Sequence, residues 1–307
     1  GFDIFDKQEL RYYTAENGQL PLTVYGRLKP GAYVLPGDVS SQFVSGLLFA
    51  LPLLPDDSTL KILPPLESSS YIELTLSSLQ MFGINIERKN RFYYKIYGKQ
   101  TYRAPSERVQ VEGDWSQAAF WLVAGTIGSG EKVRCKGLNR DSLQGDRAIL
   151  TILRRMGAKF IVRKDMITVL PARLHGCEID ASDCPDLVPV LSVAAAVAEG
   201  STHIIHAGRL RIKECDRLAA MHSELTKLGA DITEEPEGLL IKGKPEGLKG
   251  GAVVDAWNDH RIAMSMAVAA LACKEPVTLT GGESVSKSYP EFWNDYASVG
   301  GKAEELR

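Results

Sequence analysis

The chain has 307 residues, of which 44% are hydrophobic and 24% charged, and its formal net charge at pH 7 is -2. These values are typical of a globular protein that is large enough for two domains. The balanced charge argues against a nucleic-acid or membrane partner. The opening residues do not resemble a signal peptide and no apolar run approaches the ~20 residues that cross a bilayer, so a cytoplasmic location is expected. The five cysteines and five histidines lack metal-ligand spacing, and neither a metal nor a cofactor is expected.

Two apolar segments near the start, Gly1-Phe-Asp-Ile-Phe-Asp and Leu20-Pro-Leu-Thr-Val-Tyr, fit the strands of a hairpin. Later in the chain, each hairpin of this kind follows an amphipathic helix. No such helix precedes residue 1. We therefore expect the chain to begin within a repeat and to be the C-terminal portion of a longer protein.

A polar cap, an apolar helix and a strand then recur along the chain. The leading aspartates stand 76, 72 and 73 residues apart, at Asp38, Asp114, Asp186 and Asp259. The helices that follow, such as 188–198 and 262–273, are apolar nearly all round, which is typical of helices buried inside a domain. The side chains that fit the helix N-caps are Ser40, Asp114, Asp186 and Asp259.

A second pattern follows in the first three copies: an amphipathic helix that closes on glycine, then two alternating strands. The glycines, Gly83, Gly157 and Gly229, suit the left-handed residue that ends a helix. Together the two patterns predict repeated β-α-β-α-β-β units, and hence an α/β (α+β) fold. We place the domain boundary near Glu112, which gives domains of residues 1–112 and 113–307.

Four cations occur where helices are expected to start. In Arg209-Leu-Arg-Ile-Lys-Glu-Cys-Asp-Arg217, Lys213 and Arg217 are predicted on the first turn of a helix of about four turns, with Glu214 beside them. Arg261 falls in the first turn after Asp259, and Lys287 precedes Ser288, a plausible N-cap. Because helix starts prefer anions, four cations there indicate a shared anionic ligand rather than solvated charged turns.

Several polar residues fit either a cap or a binding site. Asp186, in Asp183-Cys-Pro-Asp-Leu-Val-Pro, can be a helix cap or a carboxylate for proton transfer. For the serines of Ser40-Ser41-Gln42 and for Ser68, just before Tyr71, a helix cap is the favoured interpretation when they are taken alone. The residues alone leave both interpretations open.

Six motifs occur in order and together resemble the 5-enolpyruvylshikimate-3-phosphate (EPSP) synthase family, the target of glyphosate, over essentially the whole chain. They are Asp38-Val-Ser-Ser-Gln-Phe, Asn139-Arg-Asp-Ser-Leu-Gln-Gly-Asp146, Pro185-Asp186, Arg211-Ile-Lys-Glu-Cys-Asp-Arg217, Asn258-Asp-His-Arg261 and Lys287-Ser-Tyr-Pro290. The resemblance implies a two-domain enolpyruvyl transferase fold of three β-α-β-α-β-β units per domain. Residues 1–112 would then be an incomplete first domain of about two units, because roughly the first third of the family chain is absent. Residues 113–307 would be a nearly complete second domain.

The resemblance further implies transfer of the enolpyruvyl group of phosphoenolpyruvate to the 5-hydroxyl of shikimate 3-phosphate, with release of phosphate. The implied catalytic residues are Asp186 as the proton acceptor, with Glu214 and Lys287 serving the methylene carbon and the departing phosphate. The residues implied to bind shikimate 3-phosphate are Ser40, Ser41, Gln42, Ser68, Tyr71, Asp186 and Lys213. Those implied for phosphoenolpyruvate are Gln42, Arg217, Arg261 and Lys287. One position departs from the family pattern, since Arg209 stands where many members carry an asparagine.

Three alternatives remain at this stage. The first is a relative of the enolpyruvyl transferase that uses a UDP-linked N-acetylglucosamine, and the second is a catalytically silent substrate-binding fragment. The third is a repeat scaffold without chemistry. If the first third is absent, we expect weak substrate binding and little turnover from this chain alone. We also expect an exposed sheet edge and core on residues 1–112 of an otherwise monomeric protein. The expected consequence is self-association, disorder in residues 1–112, or a separately supplied N-terminal partner.

Overall fold

A computed structural model describes residues 2–15, 18, 21–128, 130 and 132–306. The chain divides into two compact units, Gly1–Gln110 and Val111–Arg307. The boundary expected from the sequence, after residue 112, lies close to this division. Among the described residues, no helix is both long and apolar enough to span a membrane.

Unit 1 combines three helices with a four-stranded sheet and a hairpin in the described part of the chain. Its helices are α1 (Phe2–Lys7), α2 (Ser41–Ala50) and α3 (Ser69–Met81). Its strands are β1 (Arg11–Thr14), β2 (Leu22–Tyr25), β3 (Ala32–Pro36), β4 (Ser58–Leu63), β5 (Ile86–Asn90) and β6 (Tyr93–Ile96). The sheet order is β3-β4-β6-β5, in which β3 and β4 are parallel and the other neighbours antiparallel.

The start of the chain differs from the expected hairpin. Residues Phe2–Lys7 form a helix, and the hairpin pairs Arg11–Thr14 with Leu22–Tyr25 in antiparallel register. The predicted strand at residues 1–6 is therefore wrong, because a short alternation of apolar and acidic residues also fits one helical turn and a half. Gly1 and Leu20, the first residues of the two predicted segments, lie outside the described residues.

Helix α2 is buried on one side only, whereas the sequence predicted burial nearly all round. Its buried residues are Val44, Leu47 and Leu48, and the helix packs against α3. Phe43 and Phe49 are each 44% exposed. The apolar composition of α2 is therefore not matched by a surrounding core among the described residues.

Unit 2 contains most of the described chain. Its helices are α4 (Trp115–Ile127), α5 (Ala148–Arg155), α6 (Val188–Ala196), α7 (Arg217–Lys227), α8 (His260–Ala270) and α9 (Phe292–Ser298). Its strands are β7 (Val133–Lys136), β8 (Lys159–Val162), β9 (Met166–Leu170), β10 (Glu178–Asp180), β11 (Ser201–Ile205), β12 (Asp231–Glu235), β13 (Gly238–Lys242), β14 (Leu248–Gly250), β15 (Val253–Asp255), β16 (Cys273–Glu275) and β17 (Thr278–Thr280).

The sheets confirm the repeated β-α-β-α-β-β order. The sheet β10-β11-β13-β12 has the same strand order and directions as β3-β4-β6-β5: one parallel pair followed by two antiparallel pairs. The sheet β7-β9-β8 matches its last three strands, and β14 with β16 and β15 with β17 form parallel pairs. The three predicted helix-closing glycines all adopt positive φ, at Gly83, Gly157 and Gly229.

Three apolar helices form the core of unit 2. Every residue of α6 is buried, as are most residues of α4 and α8, and these three helices pack against one another. The sheets cover them from outside, which confirms the prediction of buried helices for this unit. The polar starts of α4 and α8, and the turn that precedes α6, lie close together, because Arg261 contacts both Ser116 and Asp186.

Candidate active site

Arg217 is a buried guanidinium that three carboxylates surround. Asp216 caps α7 by accepting a hydrogen bond from the Ala219 amide at 3.0 Å, so Arg217 is the first helical residue. Its side chain is 1% exposed. The guanidinium donates from Nη1 to Asp186 Oδ1 (2.9 Å), from Nη2 to Glu214 Oε2 (2.7 Å) and from Nε to Asp259 Oδ2 (2.8 Å). A buried cation needs such partners to offset the loss of hydration.

Arg261, the second residue of α8, reaches the same carboxylate from another direction. Its Nη2 donates to Asp186 Oδ2 at 2.9 Å and to Ser116 Oγ at 3.2 Å. Its Nε and Nη1 atoms are buried and have no hydrogen-bond partner among the described residues. Buried donors without partners are rare, because each costs desolvation free energy. Arg261 therefore has spare capacity to donate to an anion.

Asp186 is the point on which the cations converge. It lies in the 3-10 turn Pro185–Leu187 and, contrary to one sequence interpretation, does not cap α6. Its carboxylate accepts from Arg217 and Arg261 instead, and Lys213 Nζ lies 3.9 Å from Oδ1. Burial by itself would raise the pKa of Asp186, but Arg261, Arg217 and Lys213 outweigh it and lower the pKa to about 2. The group is therefore ionised at neutral pH.

Asp259 joins the start of α8 to Arg217. Its side chain is fully buried, and it caps α8 by accepting from the Arg261 amide at 2.8 Å. The Cys215 thiol donates to it at 3.6 Å. Burial raises its pKa, but the hydrogen bond and charge of Arg217 and the Arg261 amide lower it further than burial raises it. The sequence predicted the cap correctly but gave no signal for the ion pair, since Arg217 lies 42 residues away.

Neither predicted lysine lies in a helix start. Lys213 follows a 3-10 turn, Gly208–Ile212, and has extended backbone, with φ -82° and ψ -153°. Its predicted place on the first turn of α7 is wrong because Asp216 starts that helix. Glu214, 43% exposed, is held only by Arg217 among the contacts of the described residues.

Lys287 ends another 3-10 turn, Gly282–Lys287, and its Nζ donates to the backbone oxygen and to Oδ1 (2.6 Å) of Asn258. Ser288 closes that turn through its amide and is not an N-cap. The helix α9 begins only at Phe292, so the predicted cap at Ser288 is also wrong.

Helix α4 holds the residues that follow Lys287, a contact that the sequence did not predict. Gln117 Nε2 donates to Ser288 Oγ at 3.0 Å. One turn later, Trp121 Nε1 donates to the Tyr289 hydroxyl at 3.2 Å, and that hydroxyl donates to Asp295. Gln117 and Trp121 are four residues apart and so lie on the same helix face. The partners lie about 170 residues away in sequence, beyond the reach of local pattern.

In unit 1 the predicted polar residues gather at one sheet edge. Ser40 caps α2 by accepting from the Gln42 amide at 3.2 Å, as predicted, which puts Ser41 and Gln42 in the first turn. Ser68 precedes α3 with a positive φ of 50° and is buried, and Tyr71 lies in the first turn of α3. Both helices follow the carboxyl ends of β3 and β4, which are parallel neighbours. The starts of α2 and α3 therefore meet at the same edge.

The predicted residues thus form two sets, one in each unit. Unit 2 brings together Asp186, Lys213, Glu214, Arg217 and Arg261, while Lys287 is fixed on Asn258, the neighbour of Asp259.

Arg209, the position that departs from the family pattern, donates to the backbone oxygen of Ser182 at 2.8 Å. Within the described ranges, no group of three or more His, Cys, Asp or Glu residues is placed to hold a metal ion.

Known structures share this fold. An EPSP synthase from Acinetobacter baumannii superposes with a TM-score of 0.81 and 27% identity, covering 99% of this chain and 71% of that one. The enolpyruvyl transferase NikO from Streptomyces tendae superposes with a TM-score of 0.79 at 22% identity, covering 98% of this chain and 70% of that one. The fold is therefore the two-domain α/β fold of enolpyruvyl transferases.

Sequence comparison narrows this class to one family. Residues 10–296 match the family model of EPSP synthase (3-phosphoshikimate 1-carboxyvinyltransferase). The chain is 51% identical over 304 residues to the 3-phosphoshikimate 1-carboxyvinyltransferase of Clostridium novyi, covering 99% of this chain and 68% of that protein. The enzyme of the same name from Clostridium acetobutylicum is also 51% identical, over 99% of this chain and 69% of its own length. The chain belongs to the EPSP synthase family of transferases, as its motifs predicted.

Proposed function

We propose that the chain carries out 3-phosphoshikimate 1-carboxyvinyl transfer: the enolpyruvyl group of phosphoenolpyruvate passes to the 5-hydroxyl of shikimate 3-phosphate, and phosphate is released. One observation carries the proposal. Arg217, Arg261 and Lys213 converge within 2.9–3.9 Å on the single carboxylate of Asp186. Two anionic substrates need such a concentration of positive charge, together with a group that can accept a proton.

Phosphoenolpyruvate is proposed to bind at Arg261, Arg217 and Lys287, and the family resemblance also assigns Gln42 to this substrate. The Nε and Nη1 atoms of Arg261 are free to donate to a carboxylate or phosphate, for which the planar guanidinium fork is well matched. Arg217 uses most of its donors within the protein, so its contribution is mainly positive potential. Lys287 would serve the departing phosphate.

Shikimate 3-phosphate is proposed to bind through Lys213 and Asp186 of unit 2, and the family resemblance assigns a hydroxyl-rich set in unit 1 to the same substrate. That set, Ser40, Ser41, Gln42, Ser68 and Tyr71, lies at the starts of α2 and α3, where backbone N–H groups favour anions. Serine and tyrosine hydroxyls both donate and accept, which suits a substrate that carries hydroxyl groups as well as a phosphate.

The proton transfers are proposed for Asp186 and Glu214. As the 5-hydroxyl oxygen forms its bond to the central carbon of phosphoenolpyruvate, its proton passes to Asp186, and Glu214 supplies a proton to the methylene carbon. The carbon–oxygen bond to phosphate then breaks and the methyl group returns a proton to the Glu214 carboxylate, which regenerates the double bond, while the departing phosphate takes the proton held by Asp186. Bound substrate anions partly neutralise the positive charge of Arg261 and Lys213. The pKa of Asp186 then rises toward the value that a proton acceptor needs.

The test is calorimetric titration of the 307-residue chain with phosphoenolpyruvate, shikimate 3-phosphate and UDP-N-acetylglucosamine, followed by a phosphate-release assay. We expect the first two ligands to bind and the nucleotide sugar not to bind. Binding without turnover would favour the alternative of a catalytically silent substrate-binding fragment. That outcome is compatible with a chain that spans 68–70% of the length of its relatives. Selective binding of the nucleotide sugar would overturn the proposal.

A further inference from the structure

We propose that Glu224 is a positioning residue for Lys287: it holds a backbone turn at Trp257 and Asn258, and that turn holds the lysine. This proposal takes one point from the function proposed above, the role of Lys287 in binding phosphoenolpyruvate. It concerns a buried carboxylate that takes no part in the proton transfers.

Glu224 lies on α7 two turns after Arg217, and its side chain is 1% exposed. Its Oε1 accepts from Trp257 Nε1 at 2.9 Å, and its Oε2 accepts from the Asp255 amide at 2.8 Å. Lys227 also donates to both oxygens, at 2.9 and 2.7 Å. A buried carboxylate is tolerated when several donors surround it, and two of these donors come from one short segment.

That segment carries an unusual backbone. Trp257 and Asn258 are consecutive non-glycine residues with positive φ, 52° and 51°. A bulky residue in this region is uncommon and persists only where its surroundings fix it. The Glu224 bonds to Trp257 and to Asp255 are two such constraints, and the bond from the Trp257 amide to Asp255 Oδ1 at 2.6 Å is a third.

The turn presents two oxygen atoms of Asn258 to Lys287. The Lys287 amine donates to the backbone oxygen and to Oδ1 of Asn258, and these are its contacts among the described residues. The next residue, Asp259, pairs with Arg217. Helix α7 therefore bonds to both ends of residues 255–259, through Glu224 at the first end and Arg217 at the second. Asn258, which accepts from Lys287, lies between these two contacts.

The experiment is amine footprinting of the folded chain with an acylating reagent, read by mass spectrometry, on Glu224→Ala, Glu224→Gln and Trp257→Phe. We expect the labelling rate of Lys287, relative to Lys242 on β13, to rise about fivefold in Glu224→Ala, the factor of one hydrogen bond. Glu224→Gln retains an acceptor for one donor and should fall between. Trp257→Phe removes the indole N–H together with part of the ring but keeps Glu224, and it should raise labelling by a smaller factor.

Ser223→Ala is the matched control, because Ser223 donates to Glu224 Oε1 at 2.9 Å and makes no hydrogen bond to residues 255–258 among the described residues. It should leave Lys287 labelling unchanged. Phosphoenolpyruvate affinity should fall in Glu224→Ala in step with the rise in labelling. If Glu224→Ala melts at a lower temperature while Lys287 labelling and phosphoenolpyruvate affinity stay the same, Glu224 is only a structural residue and the proposal is overturned.

Should Glu224→Ala fail to fold, Trp257→Phe decides, since it keeps an aromatic side chain at the position and deletes no buried carboxylate. Unchanged Lys287 labelling in that variant overturns the proposal equally. The footprint needs no substrate, so it separates the two proposals. Raised labelling in a protein that binds neither substrate would support the positioning role while refuting the proposed function.

Discussion

Arg217 and Asp259 form an ion pair, 2.8 Å from Nε to Oδ2, in which the side chains are 1% and 0% exposed. Removing water from two charges costs several kcal/mol, so such a pair adds little net stability compared with apolar residues. Breaking the pair is strongly destabilising, because removing one partner leaves the other charge buried and unpaired. The pair also fixes the starts of α7 and α8 relative to each other, and with them the orientation of Arg261.

Asp259→Ala should therefore lower the free energy of unfolding by about 3–5 kcal/mol, measured by urea denaturation. The change leaves the Arg217 guanidinium without its Nε partner and removes the cap of α8. Arg217→Met combined with Asp259→Ala should cost clearly less than the sum of the single variants, because neither member of this pair is left buried without the other. Additive losses would show that the two side chains do not act as a pair.

Arg261→Met should weaken phosphoenolpyruvate binding by about 10- to 100-fold, the usual effect of losing a charged hydrogen-bond donor. Arg261→Lys should recover only part of the affinity, since an ammonium group cannot donate from two parallel N–H groups. Calorimetric titration gives both values. Arg134→Met, which removes an exposed arginine on β7, is the control and should bind normally. Unchanged affinity in Arg261→Met would contradict the proposed site.

Acid should destabilise the chain through Asp186. Its pKa in the folded protein is about 2, below the ordinary value of 3.8, so the ionised form is favoured by folding. This contribution, about 2 kcal/mol, is fully present above pH 3.8 and is lost as the pH falls toward 2, with roughly half gone at pH 3. Urea unfolding at pH 6, 4 and 3 measures it. Asp186→Asn should lack this component, and an identical acid dependence in that variant would assign the loss to other carboxylates.

The hydrogen bond between Gln117 and Ser288 should stabilise the turn that ends at Lys287 against local unfolding. A double-mutant cycle of Gln117→Ala and Ser288→Ala should give a coupling free energy of about 0.5–1.5 kcal/mol in urea unfolding. Amide hydrogen exchange across residues 282–289 should accelerate in either single variant. A coupling energy of zero would mean that the 3.0 Å contact has no energetic role.

Six ordered motifs predicted the family. The local pattern of the amino-acid sequence predicted the repeated order of strands and helices, and the caps at Ser40, Asp114 and Asp259. It also determined the glycines that close three helices. Each of these depends on interactions between residues a few positions apart, which sequence periodicity and capping patterns capture. The predicted strand at the start of the chain is wrong because Phe2–Lys7 is too short for periodicity to separate a helix from a strand.

The arrangement of charges depends on tertiary packing. Asp186 fits a cap by sequence, yet Arg217 and Arg261, 31 and 75 residues away, draw its carboxylate into ion pairs. Glu224 and Trp257 meet for a similar reason, across 33 residues. These contacts exist because the buried helices α4, α6 and α8, together with α7, pack with their starts close together. Packing at that scale follows from the shapes of whole helices and sheets, which no local pattern records.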